Sequence, residues 1–272
     1  MDIKIFIINL LDSTDRKESM TKKIKEIDDF NIYINEDRVK FVESKTGYDK
    51  FNSVESNNLY FYFFPATSAY KIRNKEIEIL NYDSFRARII KGKDLSFGEI
   101  ACFHSHYSLW HKALELDSPI IVLEDDIEFS YNFKEIINIY NSNFEYVRLM
   151  YLFDKKTIKL RDNFFISFEK VSGAQGYYIT PIAAKKLIKN AKYFFHCVDD
   201  YMDMFFLHNV LNIIYKPFLI SDTGAENSTI KDRNKEKVNK IGREISRIYL
   251  FVFRKYLFLL FNFLRIARLR NA

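Results

Sequence analysis

Cysteine is nearly absent, with only Cys102 and Cys197 in 272 residues. Cys102 falls in an amphipathic stretch where a buried free thiol is the usual state, which fits a reducing compartment. A secretory-leader pattern is not expected at the N-terminus either. The N-terminal MDIKIFIINLLDSTDRKE has an apolar run of about six residues and no small-residue cleavage pattern, so it reads as a first strand and the expected location is cytoplasmic. Internal repeats and low-complexity segments are also lacking. What remains is one α/β domain of ordinary size with an appendage.

An excess of charge is missing from most of the chain. The net +6 arises entirely in residues 243–272, where seven Lys/Arg face one acid; 42 less seven and 36 less one leave 35 residues of each sign in residues 1–242. A neutral body argues against nucleic-acid binding, which needs a basic docking face. Even in the apolar tail the longest uncharged stretch, Tyr256–Leu264, is nine residues, short of the roughly 20 that a membrane span requires.

The patterning that is present alternates strands with helices. Ile3–Leu10 is a nearly continuous apolar run suited to a strand buried on both faces. Asp12 and Asp15 predict a helix start, with the helix running to about Asp29. Tyr60–Phe64 is a further strand, and Asp37–Asn58 has no clear period. A capping-box pattern at Ser96 and Glu99 predicts a helix to Glu115. Ser118–Leu123 then reads as a strand that delivers Glu124, Asp125 and Asp126 at its carboxyl end, the edge where open α/β sheets bind ligands. Strands are expected at Tyr146–Phe153, Phe164–Phe168, Gly176–Thr180 and Asn212–Ile220. A helix is expected after the Thr180–Pro181 cap, and another over Asp199–Asn209.

Three consecutive carboxylates repel one another, and a divalent cation removes that cost. Hard oxygen ligands suit Mg²⁺ or Mn²⁺, whose shells are completed by water and substrate phosphates, so a nucleotide diphosphate is the natural partner. The alternative is a solvated turn. In the helix after Ser96, the residues Glu99, Cys102, Phe103, His106 and Trp110 share one stripe, while His104 and His111 share another. His106 is thereby a candidate to face the site; the alternative is a histidine satisfied in the core. Gly173 and Gly176 permit close backbone approach of a ligand, or serve as turn glycines.

The ordered segments INLLDSTDRKE, GEIACFHSH, IVLEDD, GAQGYYIT and VDDYMD together resemble glycosyltransferase family 25, from about Phe6 to Ile230. The resemblance implies a GT-A-type nucleotide-diphospho-sugar transferase fold in residues 1–240. It also implies inverting transfer, with bacterial members moving galactose from UDP-galactose to lipopolysaccharide or lipooligosaccharide. By position, Asn9 and Arg16 would meet the donor nucleotide, Glu124–Asp125–Asp126 is the metal motif, and Asp199–Asp200 is the later acidic pair. Within that pair Asp200 is narrowly preferred as the base and the other acid caps a helix. No histidine follows near the domain's end, so the last metal ligand falls to Asp222, to water or to nothing, with Ser228 a further donor contact. A protein that keeps the fold but only binds glycans is the alternative, and a metal-dependent phosphohydrolase would need more histidine ligands.

Residues 241–272 form a basic amphipathic pattern. At 100° per residue, Arg243, Arg247, Arg254, Arg265 and Arg268 fall within an arc of about 60°. The expectation is a helix lying in an anionic membrane surface, on the inner face of a bacterial plasma membrane beside a lipid-linked acceptor. The alternative is a helix packed on the body or on a second copy in a homo-oligomer.

Overall fold

The computed structural model describes residues 1–35, 49–50, 57–79, 81–223, 241–248, 251–252 and 266. Most of the unpatterned Asp37–Asn58 stretch, the candidate Ser228 and most of the tail lie outside these residues. Its strands are β1 Asp2–Asn9, β2 Asn31–Asn35, β3 Asp49–Lys50, β4 Asn58–Pro65, β5 Ile120–Glu124, β6 Ile127–Phe129, β7 Tyr146–Arg148, β8 Ile158–Arg161, β9 Phe164–Ile166, β10 Gly176–Ile179, β11 Ile213–Tyr215 and β12 Ile220–Asp222. Its helices are α1 Thr14–Lys25, α2 Ala69–Arg73, α3 Ser84–Arg86, α4 Phe97–Glu115, α5 Ile136–Tyr140, α6 Pro181–Asn190, α7 Val198–Met202 and α8 Phe205–His208, with a π-helical turn at Ala87–Lys91.

Ten strands form one mixed sheet in the order β3-β2-β4-β1-β5-β10-β7-β11-β9-β8, and β6 pairs with β12 in a small second sheet. The left half, β2-β4-β1-β5, is parallel, and β10 runs antiparallel to both β5 and β7. This is the mixed α/β class expected from the alternating pattern. In β1, Ile3, Ile5 and Ile7 pack with Met20 and Ile24 of α1 on one sheet face. Phe6 points to the other face, with Phe103, Leu109 and Trp110 of α4. That period-2 split, buried on both sides, is why the run reads as continuously apolar.

The capping box forms: Ser96 Oγ accepts from Glu99 N at 3.2 Å and Glu99 Oε2 accepts from Ser96 N at 2.8 Å. Thr180 caps α6, with Pro181 in its first turn. Helix α1 begins one residue later than Asp12 suggested, with Ser13 at the N-cap position.

Two expected elements are broken. The helix read over Asp199–Asn209 divides into α7 and α8, because the Asp203 carboxylate between them bonds Arg148, Asn212 and the Ser172 N–H. The N-cap of α7 is Cys197, so neither Asp199 nor Asp200 caps it, and Asp203 follows its last turn. The strand read over Asn212–Ile220 divides at Lys216–Pro217 into β11 and β12, which belong to different sheets. Proline supplies no N–H to a ladder.

In the tail, residues 241–248 are helical, and Ile241, Ile245 and Ile248 are each more than half exposed. Ile266 packs partly buried against the α1-side core. Among the described residues no helix is long and apolar enough to cross a membrane.

Arg148 is wholly buried at the end of β7 and faces the wholly buried Asp203 at 3.1 Å. It also donates to Asn212 Oδ1 at 2.7 Å and to the carbonyls of Ser172 and Gly173. Removing one member leaves a charge stranded in the core. Arg148→Met should therefore cost about 3–5 kcal/mol of stability, and Arg148→Met with Asp203→Leu should recover part of that loss. Urea unfolding of both variants checks this, and a double variant no more stable than the single one would count against it.

Candidate functional site

Parallel register brings the carboxyl ends of three strands to one edge. Ile8 of β1 lies opposite Glu124 of β5, and Asn9 lies opposite Pro65 of β4. The start of β10 and the end of β7 reach the same edge, because Gly176 pairs with Leu123 and Tyr177 with Arg148. This edge holds Asn9, Arg16 and the three acids from one half of the sheet. Asp199 and Asp200 arrive on α7, held near by the Asp203–Arg148 pair.

The three acids occupy different environments. Asp125 is nearly buried and neutralised, accepting from Arg16 Nη1 at 2.6 Å and from Asn9 Nδ2 at 2.7 Å. Asn9 and Arg16 thus hold the middle acid, a use that positional similarity alone did not suggest. Glu124 turns its Oε1 toward α4: His106 Nε2 lies 3.2 Å from that oxygen and Cys102 Sγ 3.8 Å. Burial, with Asp125 adding to it, raises the Glu124 pKa. Burial and the neighbouring Glu124 and Asp125 raise that of Asp126.

Asp126 Oδ1 is buried and among the described residues meets no hydrogen-bond donor, although its main-chain carbonyl accepts from Thr223 N and Oγ1 at 3.1 and 2.9 Å. An unpartnered buried carboxylate oxygen among like charges is a costly arrangement that a cation would relieve. Asp222, in β12, is brought beside the cluster by the pairing of β12 with β6, Asp222 lying opposite Ile127. It raises the pKa values of both Glu124 and Asp126. The donor set therefore fits a hard divalent ion at Asp126, with Asp222 and Glu124 contributing. Asp125 is already committed to Arg16.

The acidic pair also divides. Asp200 forms ion pairs with Lys91, at 2.7 Å, and with Lys170. Burial would raise its pKa, yet the two lysines hold it well below the usual carboxylate range. Asp199 has no such clamp: among the described residues no donor contacts its carboxylate, and burial with the nearby Glu124 raises its pKa to about 6. Asp199 is the free carboxylate of the two.

His106 is fully buried, and burial pushes its pKa down to about 4. Its Nδ1 lies 2.9 Å from the Tyr177 hydroxyl, whose oxygen accepts from Trp110 Nε1 at 3.0 Å. Its Nε2 touches the acid cluster through Glu124. His104 instead contacts Thr67 Oγ1 at 2.8 Å on another face.

Each glycine has a structural reason in this fold. A Cβ on Gly176 would lie 2.3 Å from Ile220 Cδ1 and 2.9 Å from Leu123 Cδ2, so that face is core. Gly173 adopts φ +90°, and its carbonyl accepts from Arg148. Lys91, Lys170, Arg148, Tyr177 and Thr223 carried no readable signal, except that Arg148 interrupts an apolar strand. A lone charge there implies a buried partner.

A model of glycosyltransferase family 25, described as an LPS biosynthesis protein family, matches residues 2–202. Human procollagen galactosyltransferase 2 is 31% identical over 133 residues, 48% of this chain and 17% of the relative. A Haemophilus influenzae protein named “Putative glycosyltransferase” is 35% identical over 106 residues, 36% of this chain and 38% of the relative. The mimivirus procollagen lysyl hydroxylase and glycosyltransferase is 35% identical over 115 residues, 38% of this chain and 13% of the relative. The chain thus spans well under half the length of these relatives.

The Arg16–Asp125 contact is testable as a pair. Arg16→Met should cost about 1–3 kcal/mol, because Asp125 is left uncompensated beside Glu124 and Asp126. Adding Asp125→Asn should return much of it. A double-mutant cycle by urea unfolding checks the coupling, and simple additivity would contradict it.

Proposed function

Because this chain belongs to glycosyltransferase family 25, we propose that it transfers a sugar from a nucleotide donor to a glycan acceptor by a single inverting displacement within a GT-A-type fold. Galactose from UDP-galactose is the first donor to test, since relatives are named as procollagen galactosyltransferases. Lipopolysaccharide or lipooligosaccharide is the first acceptor class, following the family's description. The observation that carries the reading is the convergence of an unpartnered Asp126 oxygen and an unclamped Asp199 carboxylate on one sheet edge.

Each group has a role in such a displacement. Mn²⁺ or Mg²⁺, held by Asp126 with Asp222 and Glu124, would stabilise negative charge on the departing diphosphate. Arg16 and Asn9 fix Asp125 and keep its charge balanced, so the acids on either side stay oriented. Asp199 takes the proton of the attacking hydroxyl. We assign that step to Asp199 rather than Asp200, because a base must be free to accept a proton. Asp200, paired with two lysines, has little affinity for one. Its role is to anchor Lys91 and Lys170 beside the site.

The experiment is a screen of UDP-sugars with and without Mn²⁺, on the full chain and on variants. Asp126→Ala should abolish transfer with the fold intact. Asp199→Asn should lower kcat by about 10²–10⁴-fold, with donor affinity little changed. Asp200→Asn should lower it less. Transfer that proceeds equally in chelator would remove the metal from the reading, and a larger loss in Asp200→Asn would return the base to that residue. Donor binding without any transfer would favour a glycan-binding protein of the same fold.

The tail supports a peripheral position on an anionic membrane surface, which would put a cytoplasmic enzyme beside a lipid-linked acceptor. Ile241, Ile245, Ile248 and Val252 are all more than half exposed and fall within an arc of about 60° at 100° per residue. Arg243 and Arg247 lie away from that stripe. Replacing Arg243, Arg247 and Arg254 with glutamate should release the protein from anionic vesicles at physiological salt while donor hydrolysis persists. Sedimentation that does not change would point to a tail packed on the body, where Ile266 already rests, or on a second copy.

A further inference from the structure

We propose that Cys102, His106 and Glu124 form a second cation site, suited to a borderline-soft ion of the Zn²⁺ class and sharing Glu124 with the all-oxygen site at Asp126. Cys102 and His106 are four residues apart on α4, one turn along the same face, and that face meets the end of β5. The sulfur, the imidazole nitrogen and a carboxylate oxygen lie within 4.8 Å of one another.

The two spacings to the Glu124 oxygen fit tetrahedral ligation. Bond lengths of about 2.0–2.1 Å to N and O and about 2.3 Å to S put nitrogen and oxygen about 3.3 Å apart, and sulfur and oxygen about 3.6 Å apart. The observed separations are 3.2 Å for His106 Nε2 to Glu124 Oε1 and 3.8 Å for Cys102 Sγ to the same oxygen. A mixed S, N, O set prefers Zn²⁺ over Mg²⁺ or Mn²⁺. Support behind the histidine is in place. Ligation through Nε2 puts the ring proton on Nδ1, facing the Tyr177 oxygen at 2.9 Å, and Trp110 holds that oxygen from behind.

The Glu124 side chain is one-quarter exposed, which leaves a route for the ion and for a water as fourth ligand. Binding exchanges the thiol proton for the metal. The proton passes to solvent and no oxidation state changes. An ion here would draw Glu124 toward α4 and away from Asp126, so Zn²⁺ should inhibit the transfer that Mn²⁺ supports; this consequence, unlike the binding itself, rests on the transferase reading.

Co²⁺ titration of the full chain provides the direct test. One equivalent should give a thiolate-to-Co²⁺ charge-transfer band that Zn²⁺ then removes. Asp126→Asn should retain the band. Cys102→Ala should lose it and bind Zn²⁺ at least about 100-fold more weakly, since even outer-shell changes at metal sites cost 10–100-fold. Should Cys102→Ala misfold by circular dichroism, the unmutated protein still decides: Zn²⁺ must slow alkylation of Cys102 and spare Cys197, read by peptide mass spectrometry. No band in the unmutated protein, a band kept in folded Cys102→Ala, or Cys102 alkylated equally with and without Zn²⁺ would each overturn the site. A chain that binds Zn²⁺ as described but transfers nothing with Mn²⁺ would overturn the transferase reading alone.

Discussion

A guanidinium buried without access to water needs a partner at each nitrogen, and Arg148 meets that demand by recruiting three separate parts of the chain. Asp203, Asn212 and the carbonyls of Ser172 and Gly173 close around it. The consequence is positional. The turn before β10, the break between α7 and α8, and the entry to β11 are fixed relative to the end of β7. Asp199 and Asp200 lie one helical turn before Asp203 and so inherit their place from the same contact. Replacing the whole arrangement with apolar residues could leave the sheet equally stable, but it would not specify where α7 sits.

At the opposite half of the sheet the constraint is repulsion. Glu124, Asp125, Asp126, Asp199 and Asp222 share one edge, where Asp125 is paired with Arg16. Crowding and burial leave raised pKa values at Glu124, Asp126 and Asp199. Such an edge is more costly to the apo fold than an equivalent with fewer acids, and a site that accepts positive charge is the physical reason to keep it. The neutral His106, anchored by Tyr177 and Trp110, holds Glu124 Oε1 against α4 while the carboxylate still feels Asp126. This is also why one cluster of acids offers two chemically different ligand sets.

The local elements were readable because their signals are local. Ser96 and Glu99 are three residues apart and form the capping box that their spacing requires. The Thr180–Pro181 start of α6 and the doubly buried β1 follow from the same kind of short-range chemistry. The delivery of Glu124, Asp125 and Asp126 to a strand end was equally legible, because an apolar run before acids defines where the strand stops. Longer elements were misread where a distant partner intervened. The helix over Asp199–Asn209 breaks because Asp203 is committed to Arg148, 55 residues away.

By itself, then, the sequence determined the α/β class, the caps of α4 and α6, the acids and their place at a strand end, and the concentration of basic charge in the tail. Only the tertiary structure decided which acid is tied down and which is free. Asp199 and Asp200 are adjacent and chemically identical, so no spacing rule separates them. Lys91 and Lys170, brought from other segments, clamp one and leave the other facing Glu124. A carboxylate's proton affinity is set by the charges and water around it, and those neighbours are chosen by the fold.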